Sequence, residues 1–597
     1  MRCGSISAIL VLLAQPAWSL INPRFTPVTL VRQSTVILVG PLAPAGEERW
    51  TLKPAQVLKG QAAGDMVVLP GRLKPADAQV ARTILASASG RHAIAFIAQV
   101  GDQRLAYLHA GGAFLELRGV AANWEVAGMG QNLAGVFAGG TDVLITMTNY
   151  ILADPQASVP VTAGVSWIAG PITVGKVGGR IGSMQAIRIA ERMHLFVASS
   201  EGDRLYQAKR GEAGFEDVTA AIGLATRSGH SLWMDLAGTG DAQLLSWDGQ
   251  ALSLWRLTGG KIARAGAPLE LRTCLGLSPC RDPQSNRPAV IISTGGAPLL
   301  LLAEKDQQLR SQALPSEPGA RGQASGPCAV ADFDGDGHFD VLCPGAGGGL
   351  LWRGGGQGFG SPGPTAVTGD GRASVCVGDL RGSGRVDVVV SGDKTLELWA
   401  NDGKGGFSPV ASGSGSLSRV MSAGAALCLS TDLNHDGRTD VLLLRRQGPL
   451  AYHFNRGFGC FVDEGEVRAP PPPGTAADTG QVAAAVADFN DDGSLDLAVA
   501  FADGVVTCLH NATANRPHLR VRLGKQVVAP LSFTAWQGHE GSSSLGAFAA
   551  TGPQTHVPLR DMRPCVIRYS LPGKPHQART IQPTGAAIEG GQVVTLE

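Results

Sequence analysis

The chain has 597 residues, a formal net charge of +1, 44% hydrophobic residues and only 17% charged ones. That length exceeds a single hydrophobic core and that apolar content excludes a disordered chain, so two to four folded domains are expected. The neutral balance gives no electrostatic footing for nucleic acid or for an anionic membrane surface.

Glycine (81) and proline (36) punctuate many short apolar runs, which is the pattern of strands and tight turns and predicts an all-β fold. At the start, Arg2, the apolar run Ile6 to Ala14 and the small residues of Ala17-Trp18-Ser19 read as a signal peptide over 1–19. Export follows, to an extracellular or periplasmic location. No later run is long and apolar enough for stable membrane insertion. Strand-like segments at 35–40, 50–52, 57–60, 66–69 and 92–99 predict a small β-barrel or sandwich over 24–125, and 126–178 reads as a linker or irregular region. Of ten cysteines, Cys274 and Cys280 are close enough to bridge a loop. Cys328, Cys376 and Cys428 recur at similar offsets and suggest inner-strand packing.

The centre of the chain repeats. Asp332-Phe333-Asp334-Gly335-Asp336-Gly337-His338-Phe339-Asp340 is followed by an apolar run, and the pattern returns from Asp432 to Asp440 and from Asp488 to Asp496. A weaker copy runs from Asp379 to Asp387 and a faint one starts at Asp235. The first aspartates from 332 onward stand 47, 53 and 56 residues apart, the length of one four-stranded propeller blade. Gly-rich turns ending on an aromatic recur downstream, as in Asn401 to Phe407, Gly354 to Phe359, Asn455 to Phe461 and Gly211 to Phe215, and suit hairpins between later strands. Seven blades are expected, near 180–226, 227–270, 271–318, 319–368, 369–420, 421–475 and 476–523, with the proline tract Pro470 to Pro473 lengthening the sixth. The fold class is thus a seven-bladed β-propeller over 180–523, with small β-domains before and after it.

Oxygen ligands at loop positions 1, 3, 5 and 9, with Gly at 6 to permit a left-handed turn, curl a short segment around a hard cation. Carboxylate and amide oxygens without nitrogen or sulfur ligands favour Ca²⁺. About three sites are expected. The first takes Asp332, Asp334, Asp336 and Asp340 with the His338 carbonyl. The second takes Asp432, Asn434, Asp436 and Asp440 with the Arg438 carbonyl, and the third Asp488, Asn490, Asp492 and Asp496 with the Ser494 carbonyl. In the Asp379 copy, Arg381 stands where a second oxygen ligand should be and Ser383 replaces a carboxylate, so an internal ion pair to Asp379 or Asp387 is expected in place of metal. The Asp235 copy, with Ala237 and Gln243 in ligand positions, is expected to be empty.

These loops and aromatic turns resemble FG-GAP/VCBS repeats, the blades of integrin-α-type propellers. Gly214-Phe215-Glu216-Asp217-Val218-Thr219 through Gly223-Leu224 resembles a segment common in VCBS chains. At the tail, Asn515 to Leu523, Val566 to Lys574 and Gly590 to Glu597 are similar to parts of an ASPIC/UnbV domain. Tyr569 departs from that pattern and the central Gly-rich stretch is missing, so the match over 511–597 is degenerate. The resemblance implies an extracellular interaction or adhesion module that binds a protein or glycan and catalyses nothing. No HExxH, GxSxG or P-loop motif is present. Two alternatives stay open: a lectin-like propeller, for which Trp255, Trp352 and Trp399 at comparable offsets could stack on sugars, and a polysaccharide-active enzyme. His510 and His518 read as surface residues, and Asn511-Ala512-Thr513 reads as a glycosylation sequon.

Overall fold

The computed structural model describes residues 27–597 except 63, 72, 130–140, 154–164, 166, 168–169, 190, 210–213, 240, 305, 317–325, 370–373, 393–395, 411–424, 449, 456–460, 468–478, 513–515, 525–529, 538–542, 551–554 and 572–575. The signal segment 1–19, the proline tract, the 211–213 part of one turn, Thr513 of the sequon and the turn at 572–574 lie outside the described residues. No described helix is long and apolar enough to cross a membrane.

The chain divides into two compact units. In the first, strands Val36–Pro44, Trp50–Leu52, Met66–Leu69, Asn123–Met129, Ala113–Val120, Gln103–Ala110 and His92–Val100 pair in that order, and the last returns to the first, closing a seven-stranded barrel. Gln56–Lys59 adds to Val36–Pro44. Period-two alternation sorts the side chains. Leu38 and Leu42 join Met66, Leu108, Leu115 and Val126 in one core with Ala81 and Leu85 of helix α2 (Pro75–Ser87), α1 being Pro27–Gln33. Their neighbours Ile37 and Val39 face a second core with Leu30 and Val31 of α1 and with Leu144, Met147 and Ile151 of α3 (Thr141–Ala153).

This corrects the boundaries drawn from sequence. The barrel domain does not stop at 125, and 126–178 is not simply a linker. Its first residues end a barrel strand, Leu144, Met147 and Ile151 stand at helical spacing on α3, and Ile172–Lys176 is a strand of the second unit.

In the second unit, seven four-stranded antiparallel sheets follow one another in a succession among the described residues. Their first strands are Ile181–Ile189, His230–Met234, Gly276–Arg281, Ala329–Ala331, Ser374–Gly378, Ala425–Thr431 and Gln481–Ala487. Each lies beside the first strand of the next sheet, and Gln481–Ala487 lies beside Ile181–Ile189, so the succession closes on itself. Six sheets are contiguous in sequence. The seventh takes Asp496–Phe501 and Val505–Leu509, and then Ile172–Lys176 from the other end of the succession. The seventh unit expected at 476–523 is therefore wrong in its last strand. His518–Leu523 leaves the succession and pairs with Thr555–Pro558 and, in parallel, with Gln592–Leu596. Those strands and a four-stranded sheet, Ser543–Ala550, Leu531–Gln537, Cys565–Tyr569 and Gln577–Ile581, build a C-terminal domain around Leu519, Val521, Phe533, Ile567 and Val594.

Cysteine usage also differs from expectation. Cys274 and Cys280 do not bridge, because they pack into cores on opposite faces of the third sheet. Cys328 is joined instead to Cys343, across the first two strands of the fourth sheet. Cys376 and Cys428 are free and buried, on first strands as expected. The bridge closes the hairpin that carries Asp332 to Asp340. A loop of that length is worth about 3 kcal/mol through the unfolded chain. Cys343→Ser is expected to lower unfolding free energy by about 2–3 kcal/mol, read by chemical denaturation under non-reducing conditions.

Candidate metal centres

Every Asp loop joins the first and second strands of its sheet, and the sheet ladder sets its size. Ala331 pairs with Asp340, Gly378 with Asp387, Thr431 with Asp440 and Ala487 with Asp496. The residue at position 9 is thus the first of the second strand, held directly opposite the residue before position 1. Eight residues must cross between two paired strands, which forces a tight curl. Position 6 is left-handed in all four loops, with φ of +90° at Gly337, +76° at Gly384, +77° at Gly437 and +92° at Gly493.

The curl turns backbone N–H groups inward onto the first aspartate. Asp332 accepts from Gly335 (2.7 Å) and Gly337 (3.0 Å), Asp432 from Asp436 (3.1 Å) and Gly437 (2.8 Å), and Asp488 from Asp492 and Gly493 (both 3.0 Å). Position 5 accepts from position 7: Asp336 from His338, Asp436 from Arg438 and Asp492 from Ser494. In the first loop, carboxylate oxygens of Asp332, Asp334 and Asp340 lie within 4.8 Å of one another, while Asp336 stands outside that cluster. In the other two, the amide nitrogen at position 3 donates to position 5, Asn434 to Asp436 (3.3 Å) and Asn490 to Asp492 (2.9 Å), leaving both amide oxygens toward the loop backbone. The Arg438 guanidinium, expected to contribute only its carbonyl, lies 3.5 Å from Asp436 Oδ2. Asp440 accepts from the Tyr452 hydroxyl (2.5 Å) and the Asn455 amide (2.7 Å).

Burial dominates the electrostatics. It pushes Asp332 and Asp488 up to about 7 and Asp340 up to about 8, and neighbouring carboxylates add to the shift in each case. Asp432 and Asp440 rise for the same two reasons. Such groups favour the neutral form unless a positive charge is supplied.

The Asp379 loop shows one way to supply it. Arg381 Nε lies 3.0 and 3.1 Å from the two oxygens of Asp387, and its terminal nitrogen lies 2.9 Å from Oδ1 and 2.7 Å from the Asn401 carbonyl. The planar fork fits the carboxylate. Of the two partners expected for this guanidinium, the structure selects Asp387. Asp387 is nevertheless raised to about 6, burial outweighing the guanidinium. In the Asp235 loop, Asp235 and Gln243 accept from the Thr239 and Ala237 amides.

The sequence reading missed a latch. Asn401 and Asn455 end third strands and Asn511 lies two residues past one; all three are buried, with the backbone N–H donating to the position-9 aspartate of the same sheet. Their side-chain amides donate to the preceding loop, at the carbonyls of Phe333, Leu380 and Leu433, and to their own loop, at Val386, Thr439 and Leu495. The spacing of 14 or 15 residues after position 9 was the available signal. The fourth sheet has Gly354 there, whose N–H alone reaches Asp340. Asn511 has no exposed surface, so in the folded chain it is a latch rather than a glycan acceptor. His510 and His518 are likewise buried, not on the surface, and His510 Nδ1 lies 3.1 Å from Asp496. Trp352 and Trp399 are buried between sheets, while half-buried Trp255 lies under Arg264 and donates to Ser246.

A cavity of about 1050 Å³ lies between first strands and the C-terminal domain, lined among others by Arg188, Met234, Val486, Arg520, Phe548 and His556.

Asn511→Ala removes two buried donors and leaves the Leu433 and Leu495 carbonyls short of a partner. A loss of about 1–3 kcal/mol is expected, measured by urea unfolding. Arg381→Ala should cost about 3–5 kcal/mol, because Asp387 is then buried without its counter-charge. That loss should shrink at acidic pH, where Asp387 is neutral, and a loss independent of pH would contradict the ion-pair account.

The FG-GAP-like repeat model matches residues 332–390 and 432–499. Comparison with curated proteins returns no match. Among solved structures, the chain is similar to an Agrocybe aegerita lectin that recognises non-reducing terminal N-acetylglucosamine, at 18% identity and a TM-score of 0.34 over 53% of this chain and 93% of the lectin. It is similar to BBS1N in complex with ARL6DN, at 10% identity and 0.39 over 59% and 99% of the two chains. A third likeness is to the Photorhabdus luminescens Tc holotoxin pore, at 11% identity and 0.33 over 90% and 32%. The two stretches that the FG-GAP-like repeat model matches carry the four loops described above.

Proposed function

We propose that this is a secreted, calcium-binding, non-catalytic β-propeller protein that serves as an extracellular interaction or adhesion module for a protein or glycan. The seven sheets are its blades, and the strand Ile172–Lys176 locks the ring by completing the last of them. Support for the ring comes from the closed succession of first strands. The C-terminal domain is read as a degenerate ASPIC/UnbV-like module, on sequence resemblance. FG-GAP-like repeats at 332–390 and 432–499 support the adhesion-type role.

Three loops hold Ca²⁺: 332–340, 432–440 and 488–496. One observation carries this reading. Four equivalent loops bury carboxylates, and the one with Arg at position 3 and Ser in place of the position-5 carboxylate has a guanidinium at the position-9 carboxylate instead. The other three loops carry hard oxygen donors at positions 3 and 5, and a hard divalent cation is the charge that fits them. The cation's chemistry is structural: it lets buried carboxylates ionise and so adds its binding free energy to folding. The lectin reading loses Trp352 and Trp399 to the interior.

Calcium at about 100 times its dissociation constant should stabilise each site by about 2.7 kcal/mol, raising the thermal midpoint by several degrees, and EDTA should reverse the gain. The pH dependence has a definite sign. Burial holds Asp332 and Asp488 at about 7 and Asp340 at about 8 in the folded chain, against 3.8 for an ordinary aspartate. In cation-free protein their contribution is therefore full below about pH 4 and is lost as pH rises through 7 to 8. Calcium needs the ionised form, so its stabilisation should grow from pH 5 to pH 8.5. Scanning calorimetry with and without calcium across that range checks it. A gain that is flat or falls with pH would remove the carboxylate cages from the account.

A further inference from the structure

All four loops present their tips to the C-terminal domain. A Cβ at Gly384 would collide with the Trp536 indole, one at Gly337 would stand 3.1 Å from Ser570, and one at Gly493 would stand 2.9 Å from the Arg516 carbonyl and from His518. At Gly437 it would meet Arg560 and Leu545. Arg560 donates to the carbonyls of Asp436 (3.0 Å) and Gly437 (2.9 Å), which are positions 5 and 6 of the second loop, and to Ser544 of its own domain. Position 4 adds side chains. His435 Nε2 lies 2.9 Å from the Pro517 carbonyl, and Asp491 pairs with Arg188 (3.0 Å) of the first sheet and Arg520 (3.7 Å) of the C-terminal domain. Both hold a left-handed φ, +57° and +60°, without being glycine. Strain of that kind persists where surrounding structure demands it.

We infer that these four loops form the seat of the C-terminal domain, and that cation occupancy of three of them holds that domain down over the cavity. The inference rests on the calcium reading of the loops. The cation sets where positions 4 to 7 stand, and those are the positions that Arg560, Pro517 and Arg520 meet. Without it, nothing ties the oxygens of positions 1, 3, 5 and 9 to a common centre, and the tips relax. The seat is finely balanced, because docking buries both ring nitrogens of His556 with no hydrogen-bond partner among the described residues. The Asp379 loop, held by Arg381, keeps its shape without metal, so Trp536 remains seated on Gly384 when the others let go. Release is then a tilt about that contact, which opens the cavity on the side of the second and third calcium loops.

The full chain is tested with calcium or with EGTA, following calcium affinity by titration calorimetry and amide exchange by mass spectrometry. Chelation is expected to speed exchange in peptides covering 516–523 and 555–561, and to leave 531–537 much less affected. By thermodynamic reciprocity, Arg560→Ala, which weakens the seat from the C-terminal side, should lower calcium affinity about fivefold or more. Trp536→Ala, over the metal-free loop, should undock that contact with a smaller effect on affinity. Calcium that binds without changing exchange, or an Arg560→Ala affinity equal to wild type, would overturn the gated seat while leaving the calcium sites standing. No binding heat at all would overturn the calcium reading and this inference with it.

Discussion

Burying several carboxylates in one short turn is the constraint on which the second unit depends. Each loop must cross between two strands that are already paired, so positions 1 and 9 are brought close whatever lies between them. Negative charge is thereby concentrated where water is scarce, and repulsion between such groups is large at low effective dielectric. The backbone N–H groups directed at Asp332, Asp432 and Asp488 offset part of the cost as partial charges. Raised values for Asp332, Asp340 and Asp488 show that they do not offset all of it. Arg381 does more for Asp387, because a full charge in a forked geometry meets both oxygens at once.

The same constraint spreads from loop to neighbouring sheet. Each asparagine latch reads the state of two loops, since one amide bridges the carbonyl of the preceding loop and one of its own. A displaced loop therefore disturbs the end of the next sheet's third strand. This gives the succession of sheets a reason to behave cooperatively beyond their packing, although repeat architectures are coupled chiefly between nearest neighbours.

Much of this was legible because it is periodic. The Asp loops, their glycine at position 6 and the blade-length interval all sit at fixed offsets, and the exception at Arg381 could be read from its charge alone. What escaped was non-local. Ile172–Lys176 reads as an ordinary short apolar segment, and only its pairing with Val505–Leu509 reveals that the last sheet takes its fourth strand from far back in the chain. Cys343 belongs to no repeat offset, so its partnership with Cys328 follows from strand register, not from spacing. Asn511 sat inside a sequon, and that local pattern concealed the recurrence it shares with Asn401 and Asn455. His518 opens a strand of another domain, where burial comes from partners far along the chain.

Positions 4 and 6 of the loops separate two causes that a glycine can have. Both positions are left-handed in all four loops, with φ at position 4 of +79° at Gly335, +67° at Gly382, +57° at His435 and +60° at Asp491. Backbone conformation alone would favour glycine at both equally. Yet only position 6 is glycine throughout, and only there would a Cβ press into the C-terminal domain in every loop. Position 4 accepts the strain of a side chain in the two loops where that side chain reaches Pro517, Arg188 or Arg520. Conformation explains why glycine is permitted at these places, and the covering domain explains why it is required at one of them.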